Sequence, residues 1–446
     1  QLFGTDGVRG EFGTAPMDER TLRRLAAALA EHLLAAHPAG GRVVLGGDTR
    51  FSTPQICRWL AAELIARGLE VTYLGVMTTP GVASTTAADP RAVCGVAVSA
   101  SHNPAADNGV KLVGPDGFKW PTREEAALEQ RMLGAARSLE SAGGEAVLEV
   151  DRDAVEAYLE SLRRGQNGGS LDGLSAVIDC GHGAASPYAE RLFESLGARV
   201  VMMGNAPDGR NINLGCGSTQ PQGLAQQVRE HGADLGVAFD GDADRVILVD
   251  SEGEIRDGDT ILYLWASFLK RSGRLAAPQV VATSMSNLGL EVALEEAGIE
   301  LVRCDVGDRA VVRTLRDRGL ILGGEQSGHI VNLDLATTGD GLLTALQLAG
   351  ILQAERAPLP ELLRGFRRFP QVLRGLKVRH KPPLDSLTRV AEQAEHTRRT
   401  LGSRGRLVLR YSGTEPLVRT MIEGPDLEQI ERLADRLESV LADELA

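Results

Sequence analysis

Residues 42–74 read RVVLGGDTRFSTPQICRWLAAELIARGLEVTYL. An apolar run at Arg42–Leu45 leads into a stretch of helical spacing from about Pro54 to Arg67, then a second apolar run at Leu69–Leu74. The same order returns at Ala176–Asp179, about Pro187 to Leu196 and Arg199–Met203. It returns again at Gln279–Thr283, about Asn287 to Ala297 and Glu300–Cys304. Strands alternating with helices of about ten or more residues imply parallel sheets. The units start roughly 100 to 130 residues apart, as three similar α/β domains would. The tail differs. Arg406–Arg410 and Leu417–Glu423 read as two strands joined by Tyr411–Pro416, and Leu427, Ile430, Leu433, Leu437 and Leu441 follow at helical spacing. This predicts a small α+β domain. Candidate joints are Ser141–Val150, Asp250–Gly258 and Arg364–Gly375.

A chain of 446 residues is roughly three domains' worth at about 150 each. Hydrophobic residues are 43 % and charged residues 24 %, ordinary for a globular protein. Acidic groups outnumber basic ones, 60 against 48, for a net charge of −12. That argues against a nucleic-acid surface, which is usually basic. An anionic substrate then needs a local cluster of positive charge. Cys57, Cys94, Cys180, Cys216 and Cys304 form no C-x-x-C pair, so a reducing compartment is expected rather than a disulfide scaffold or structural zinc. No apolar run approaches the ~18–20 residues that cross a bilayer. No signal peptide opens the chain, and Gln1 in place of Met implies that a few leading residues are missing. The expectation is a cytoplasmic, multi-domain enzyme with no membrane or nucleic-acid partner.

Ala238–Asp250 reads AFDGDADRVILVD. In extended backbone alternate residues share a face, so Asp240, Asp242 and Asp244 converge. Two unit charges ~4 Å apart repel by about 4 kcal/mol at an effective dielectric of about 20. A bound divalent cation is the simplest remedy, and all-oxygen ligands favour Mg²⁺ or Ca²⁺. An EF-hand needs Gly and Glu where this chain has Arg245 and Ser251. Three ligands leave coordination positions open, as a catalytic ion bound to a phosphoryl oxygen needs.

Other loops carry chemistry. Val93–Val98 reads as a strand running into Ser99-Ala100-Ser101-His102-Asn103-Pro104, a composition that suits a nucleophile or a phosphate site. Lys111 lies just downstream and belongs to a scarce residue type, found at 111, 119, 270, 377 and 381. Gly323–His329 follows the strand Leu320–Leu322, and its Glu325 and Ser327 can bond sugar hydroxyls. Arg410–Pro416 with Arg419 joins guanidinium groups to small hydroxyl residues, the makings of a phosphate cradle. Gly4–Gly10 is another Gly/Arg loop. No Walker A and no complete G-x-G-x-x-G occurs, so nucleotide binding lacks support.

Together these residues resemble the α-D-phosphohexomutase superfamily. Its motifs occur here in its order: FGTDGVRG (Phe3–Gly10), SASHNP (Ser99–Pro104), DGDADR (Asp240–Arg245), GEQSGH (Gly324–His329) and RYSGTEP (Arg410–Pro416). Within it, FGTDGVRG, SASHNP, Thr283–Asn287, Val306–Arg309, Gln326 and SGTEPLVR resemble the glucosamine-phosphate branch. The resemblance implies three related α/β domains with mixed sheets and a smaller C-terminal α+β domain like the TATA-binding protein, here divided as 1–148, 149–250, 251–367 and 368–446. One departure is Asp179–Ala184, DCGHGA where an A-N-G-A form is usual, which leaves His182 without a role.

By the same resemblance Ser101 carries the transferred phosphoryl. Asp240, Asp242 and Asp244 hold one Mg²⁺, with phosphorylated Ser101 as a further ligand. Arg245 and Lys111 lie near the reacting phosphoryl, and Glu325 and Ser327 contact the sugar, with His329 in the same loop. Arg410, Ser412, Gly413, Thr414 and Arg419 bind the other phosphate, while Arg9 and His102 line the cleft. The implied reaction interconverts glucosamine 6-phosphate and glucosamine 1-phosphate through a hexosamine 1,6-bisphosphate, feeding UDP-N-acetylglucosamine and cell-wall precursor synthesis. Lys111, then His329, are the candidates for the base that takes the sugar hydroxyl proton. The partner is a small sugar phosphate, with a homodimer as an assembly open to the chain. The nearest rival is a phosphomannomutase or phosphoglucomutase, the same chemistry on another hexose. A Mg²⁺-dependent sugar-phosphate phosphatase is more remote; an aspartyl-phosphate one needs D-x-D-x-[TV], where Asp244 stands last. A non-catalytic sugar-phosphate sensor is disfavoured because every reactive position is occupied.

Overall fold

The computed structural model describes residues 2–4, 6–134, 143–166, 169–412 and 416–445. They group into two compact units, Gln1–Met285 with Val302–Leu363, and Ser286–Leu301 with Arg364–Ala446.

The larger unit is built on one repeated sheet plan. Its first sheet holds β1 (Val8–Glu11), β2 (Arg42–Gly47), β3 (Glu70–Val76), β4 (Ala92–Val98) and β5 (Asp107–Val113), in the spatial order β1-β5-β4-β2-β3. β2 runs parallel to β3 and β4, as the strand–helix–strand spacing predicts. β5 runs antiparallel to β4, and β1 antiparallel to β5. The reason is connection length: Ser99–Ala106 is too short for the crossover of about a dozen residues that a parallel neighbour needs.

The second sheet repeats this plan with β6 (Ser175–Asp179), β7 (Arg199–Met203), β8 (Leu235–Phe239), β9 (Val246–Asp250) and β10 (Ile255–Arg256), ordered β10-β9-β8-β6-β7. β6 is parallel to β7 and β8, and β9 folds back antiparallel on β8. The third holds β11 (Gln279–Thr283), β12 (Glu300–Cys304), β13 (Leu322–Gly324) and β14 (Ile330–Asn332), ordered β12-β11-β13-β14. β13 is parallel to β11, and β14 antiparallel to β13. In each sheet a parallel strand (β4, β8, β13) thus turns back through a short loop. Those three loops are the serine, acidic and Gly-rich loops singled out from the sequence. The sheets are mixed, not purely parallel.

The smaller unit has an antiparallel sheet of β15 (Gln371–Lys377), β16 (Arg406–Tyr411) and β17 (Leu417–Glu423), ordered β15-β17-β16. Helices Thr388–Leu401 and Leu427–Leu445 cover one face, burying Leu401, Ile430, Leu433, Leu437 and Leu441 against Val372, Val418 and Ile422. Asn287 ties Ser286–Leu301 into this unit: its Nδ2 donates to Phe369 O (3.0 Å) and Glu423 Oε1 (3.1 Å), and its Oδ1 accepts the Phe369 amide (2.9 Å). β15 falls across the stretch Arg364–Gly375, read from the sequence as a joint. It is an edge strand with Val372 buried and most neighbours exposed, so its apolar alternation is weak.

Asp340 caps the long buried helix Gly341–Glu355. Its Oδ1 accepts the Leu343 amide (3.0 Å), and its Oδ2 the hydroxyl of Tyr158 (2.9 Å) from helix Arg152–Gly165. The Gly341 amide donates to Ala243 O (2.9 Å), so this cap also anchors the acidic loop. Burial raises the Asp340 pKa from 3.8 to about 6, against the pull of the Leu343 amide and the Tyr158 hydroxyl. The folded state then binds more protons than the unfolded chain between those values, so this group lowers stability as pH rises from about 4 to 6. Asn keeps the cap and has no charge to bury; Tyr158 can accept from its amide and donate to Thr78 Oγ1, 3.2 Å away. Denaturant melts of Asp340→Asn and parent should diverge in the variant's favour from pH 4 to 7, by up to about 3 kcal/mol. A difference that is constant with pH would refute the shift.

Candidate active site

The serine loop sits between β4 and β5, where Ser101 adopts the left-handed region at φ 54°. The Ser101 amide donates to Ser99 Oγ (2.9 Å), and Ser99 Oγ donates in turn to buried Asp48 (2.6 Å). This turns the Ser101 hydroxyl onto Asp240 Oδ2 at 2.7 Å, with His102 Nδ1 at 3.2 Å on its other side. Ser101 is only 1 % exposed.

The three aspartates do converge, but by a turn rather than by strand alternation. β8 ends at Phe239 and β9 starts at Val246. Between them the Ala243 amide closes on Asp240 O (3.0 Å), with Ala243 at φ 53°. One carboxylate oxygen from each of Asp240, Asp242 and Asp244 lies within 4.8 Å of the others, and all three residues are buried. Burial, then the charges of Asp244 and Asp242, push the Asp240 pKa well above the ordinary carboxylate range. Burial would also raise Asp244, but Lys111 and His329 outweigh it and hold that pKa well down.

Lys111 projects from β5 and is 2 % exposed. Its Nζ lies 2.7 Å from Asp242 Oδ2, 3.1 Å from Asp6 and 3.5 Å from Asp244. Burial disfavours its charge, yet these carboxylates raise its pKa well above normal. The network continues: Lys119 pairs with Asp6 and with Asp308 (2.5 Å), and Asp6 pairs also with Arg9. Thr79, first residue of helix Thr79–Ala88, donates its hydroxyl to Asp242 Oδ2 and its amide to Asp242 O (3.1 Å). Asp6, Thr79, Lys119 and Asp308 were not among the residues assigned a role from the sequence. Asp6 lies within the FGTDGVRG stretch, Asp308 within Val306–Arg309, and Lys119 is one of the few lysines; Thr79 carried no signal.

A cavity of about 1070 Å³ opens over this network, lined among others by Arg9, His102, Arg245, Lys119, Glu325 and His329. Arg245 Nη1 lies 3.3 Å from His102 Nδ1, and its amide donates to Asp240 Oδ1 (3.2 Å). Burial, then Arg245 and Arg9, lower the His102 pKa. Glu325 Oε1 accepts the Gly307 amide (3.0 Å). The Gly339 amide points at His329 Nε2 (3.1 Å), which keeps that nitrogen unprotonated and turns Nδ1 toward Asp244, 3.7 Å away. Ser327 is exposed in the same loop. His182 stands at φ 51° with its carbonyl accepting Thr49 Oγ1 (2.5 Å). The left-handed backbone accounts for a departure from Asn to another residue that tolerates it.

In the smaller unit Arg410 and Arg419 are direct cross-strand partners on β16 and β17, so both guanidinium groups leave one face of the sheet. Ser412 is buried; its amide donates to Leu417 O (2.8 Å) and its carbonyl accepts from Lys381 (2.6 Å). Gly413 and Thr414 lie outside the described residues.

The acidic turn fits a hard divalent cation. Asp242 Oδ1 and Asp244 Oδ1 are buried without a hydrogen-bond donor, and the donor set is all oxygen. Among the described residues no helix is long and apolar enough to cross a membrane.

Comparison with known proteins agrees with this architecture. Models of α/β/α domains I, II and III and of the C-terminal domain of phosphoglucomutase/phosphomannomutase match residues 1–137, 156–253, 257–369 and 376–440. A phosphoglucosamine mutase from Solibacter usitatus is 44 % identical over 100 % of this chain and 99 % of its own. One from Symbiobacterium thermophilum is also 44 % identical, over 100 % and 99 %. A solved phosphoglucomutase/phosphomannomutase family protein from Burkholderia thailandensis superposes with a TM-score of 0.80 at 26 % identity, covering 99 % of this chain and 96 % of that one. Aspergillus fumigatus N-acetylphosphoglucosamine mutase, solved with GlcNAc-6P and magnesium, shares the fold at a TM-score of 0.64 and 17 % identity, over 99 % and 96 %. Four matched domains in order and relatives this similar from end to end leave one conclusion: the chain is an isomerase of the phosphoglucomutase/phosphomannomutase family and belongs with its phosphoglucosamine mutases.

Proposed function

We propose that the chain interconverts glucosamine 6-phosphate and glucosamine 1-phosphate, with Ser101 as the phosphoryl carrier and a 1,6-bisphosphate as intermediate. The observation that carries this reading is the Ser101 hydroxyl, 2.7 Å from Asp240 in a buried carboxylate turn beneath a cavity that Arg9, Lys119 and Arg245 reach. Asp240, Asp242, Asp244 and Ser101 would hold Mg²⁺. Bound there, it supplies positive charge to the phosphoryl oxygens.

The sugar hydroxyl attacks the phosphorus of phosphorylated Ser101; a P–O bond to sugar forms and the P–Oγ bond breaks. The proton that the sugar loses balances the one that Ser101 Oγ takes up, so the cleft needs a relay and no net base. A loose, metaphosphate-like transition state puts little bond order on the attacking oxygen, so its proton can leave late. Lys111, held cationic by three carboxylates, suits charge stabilisation rather than proton uptake. His329, with the Gly339 amide on Nε2, suits donation through Nδ1. His102, 3.2 Å from Ser101 Oγ, is assigned as the relay. Arg9 and Arg245 reach the same cavity as counter-charges. Glu325 and Ser327 are assigned to the sugar hydroxyls. Arg410, Ser412, Gly413, Thr414 and Arg419 are assigned to the phosphate that is not reacting. The reaction would run in the cytoplasm and feed UDP-N-acetylglucosamine and cell-wall precursors, with domains at 1–148, 149–250, 251–367 and 368–446.

Incubation with glucosamine 1,6-bisphosphate should add one phosphoryl, ~80 Da, to Ser101 alone, by intact mass and peptide mapping; Ser101→Ala should take none. Free phosphate without isomerised sugar would support a phosphatase instead. In parallel assays glucosamine 6-phosphate should turn over faster than mannose 6-phosphate; the reverse order favours a phosphomannomutase. Melting curves with and without Mg²⁺ test the carboxylate turn. At a hundredfold excess over Kd the ion should add about 2.7 kcal/mol. Asp242→Asn should lose most of that gain, and a parent that ignores the ion would remove the metal from the scheme.

A further inference from the structure

Arg50 is a guanidinium with 0 % of its side chain exposed, whereas Arg9, Arg245 and Lys119 line the cavity. Its five N–H donors meet five acceptors. Nε donates to Asp48 Oδ2 (2.9 Å), Nη1 to Pro104 O and Asp107 O (3.0 Å), and Nη2 to Ser101 O (2.9 Å) and Asn103 O (2.8 Å). Four of the five are backbone carbonyls of the serine loop and its exit. From the loop after β7, Asn213 Nδ2 donates to the same two carbonyls, Ser101 O (3.0 Å) and Asn103 O (3.2 Å). A carbonyl oxygen has two lone pairs. One on each oxygen goes to Arg50 and the other to Asn213, so both are filled. Gly241, between two of the aspartates, closes the box, since a Cβ there would lie 2.5 Å from Ser101 O.

A fully buried guanidinium is costly to desolvate, and one spent on loop carbonyls has no role in packing an apolar core. What it secures is Ser101 in the left-handed region, a conformation that a serine does not hold by itself. We infer that Arg50 and Asn213 are positioning residues. They clamp the carbonyls of the serine loop from the first and second sheets at once, and so fix the Ser101 oxygen against the aspartate turn through both half-reactions. The inference rests on Ser101 as the phosphoryl carrier.

The test uses the full chain with Asn213→Gly, Arg50→Lys and the control Arg23→Lys. Asn213 stands at φ 59°, so Gly removes its two side-chain hydrogen bonds without backbone strain. Arg23 is also buried and bonds Glu63 and Gly144 O, away from the serine loop. Phosphoryl transfer from glucosamine 1,6-bisphosphate to Ser101 is followed by single-turnover mass analysis, beside steady-state kcat and KM and thermal melts. The expected result is a ~10-fold fall in the transfer rate and kcat for Asn213→Gly and ~100-fold for Arg50→Lys. KM should stay within about twofold, because the substrate contacts are intact. Arg23→Lys should lower the melting temperature and leave kcat alone. Parental transfer rates in Asn213→Gly overturn the clamp, as do kcat losses that track only the folded fraction. Asn213→Gly decides the matter if Arg50→Lys does not fold. A parent that takes no phosphoryl at Ser101 instead overturns the carrier reading, and the clamp with it.

Discussion

Three buried carboxylates in one short turn are the constraint around which the larger unit is arranged. Their mutual repulsion is not relieved by solvent, so each is met by a device from elsewhere in the chain. Lys111 and Thr79 converge on Asp242, Lys111 and His329 on Asp244, and Ser101 and the Arg245 amide on Asp240. The compensation then spreads outward as alternating charge, from Lys111 to Asp6 to Lys119 to Asp308. Each ion in that chain is tolerable only because its neighbours are present, since breaking a buried pair leaves a charge uncompensated. The orphaned oxygens of Asp242 and Asp244 mark where protein groups stop, an arrangement that fits a hard cation.

Topology explains why these loops meet. Each α/β sheet of the larger unit ends its parallel run with a short return into an antiparallel strand, and that return carries the chemistry. A short return cannot bury a core of its own. It must be held by side chains from neighbouring sheets, as Thr79 holds the acidic turn and Asn213 the serine loop. Repeating one plan three times supplies three such returns without lengthening any connection.

Much of this was legible in the sequence, for local reasons. The strand–helix–strand periods are strong, and the motif loops have compositions that ordinary turns do not need. The aspartate turn was legible in outcome and not in cause: D-G-D-A-D looks like alternation in extended chain, but Ala243 in the left-handed region does the bending. Arg50 and Asn213 were not legible, because their partners are backbone carbonyls about 50 and 110 residues away, as their hydrogen bonds show. Backbone carbonyls leave no trace in side-chain pattern. The antiparallel returns could have been read from loop length alone. β15 was hidden because an edge strand with one buried residue has almost no period to detect.

The net charge of −12 conceals two opposite local problems. In the larger unit the excess is negative and buried, and it calls for a metal cation. In the smaller unit Arg410 faces Arg419 across two strands, and like charges directly opposite are unfavourable in a sheet. Lys381 holds the carbonyl of Ser412 at the end of the Arg410 strand. The carboxylate turn leaves two buried oxygens without a donor, a pattern that suits a hard cation. Neither half of the charge pattern is explained by stability alone, since each would be more stable with fewer like charges.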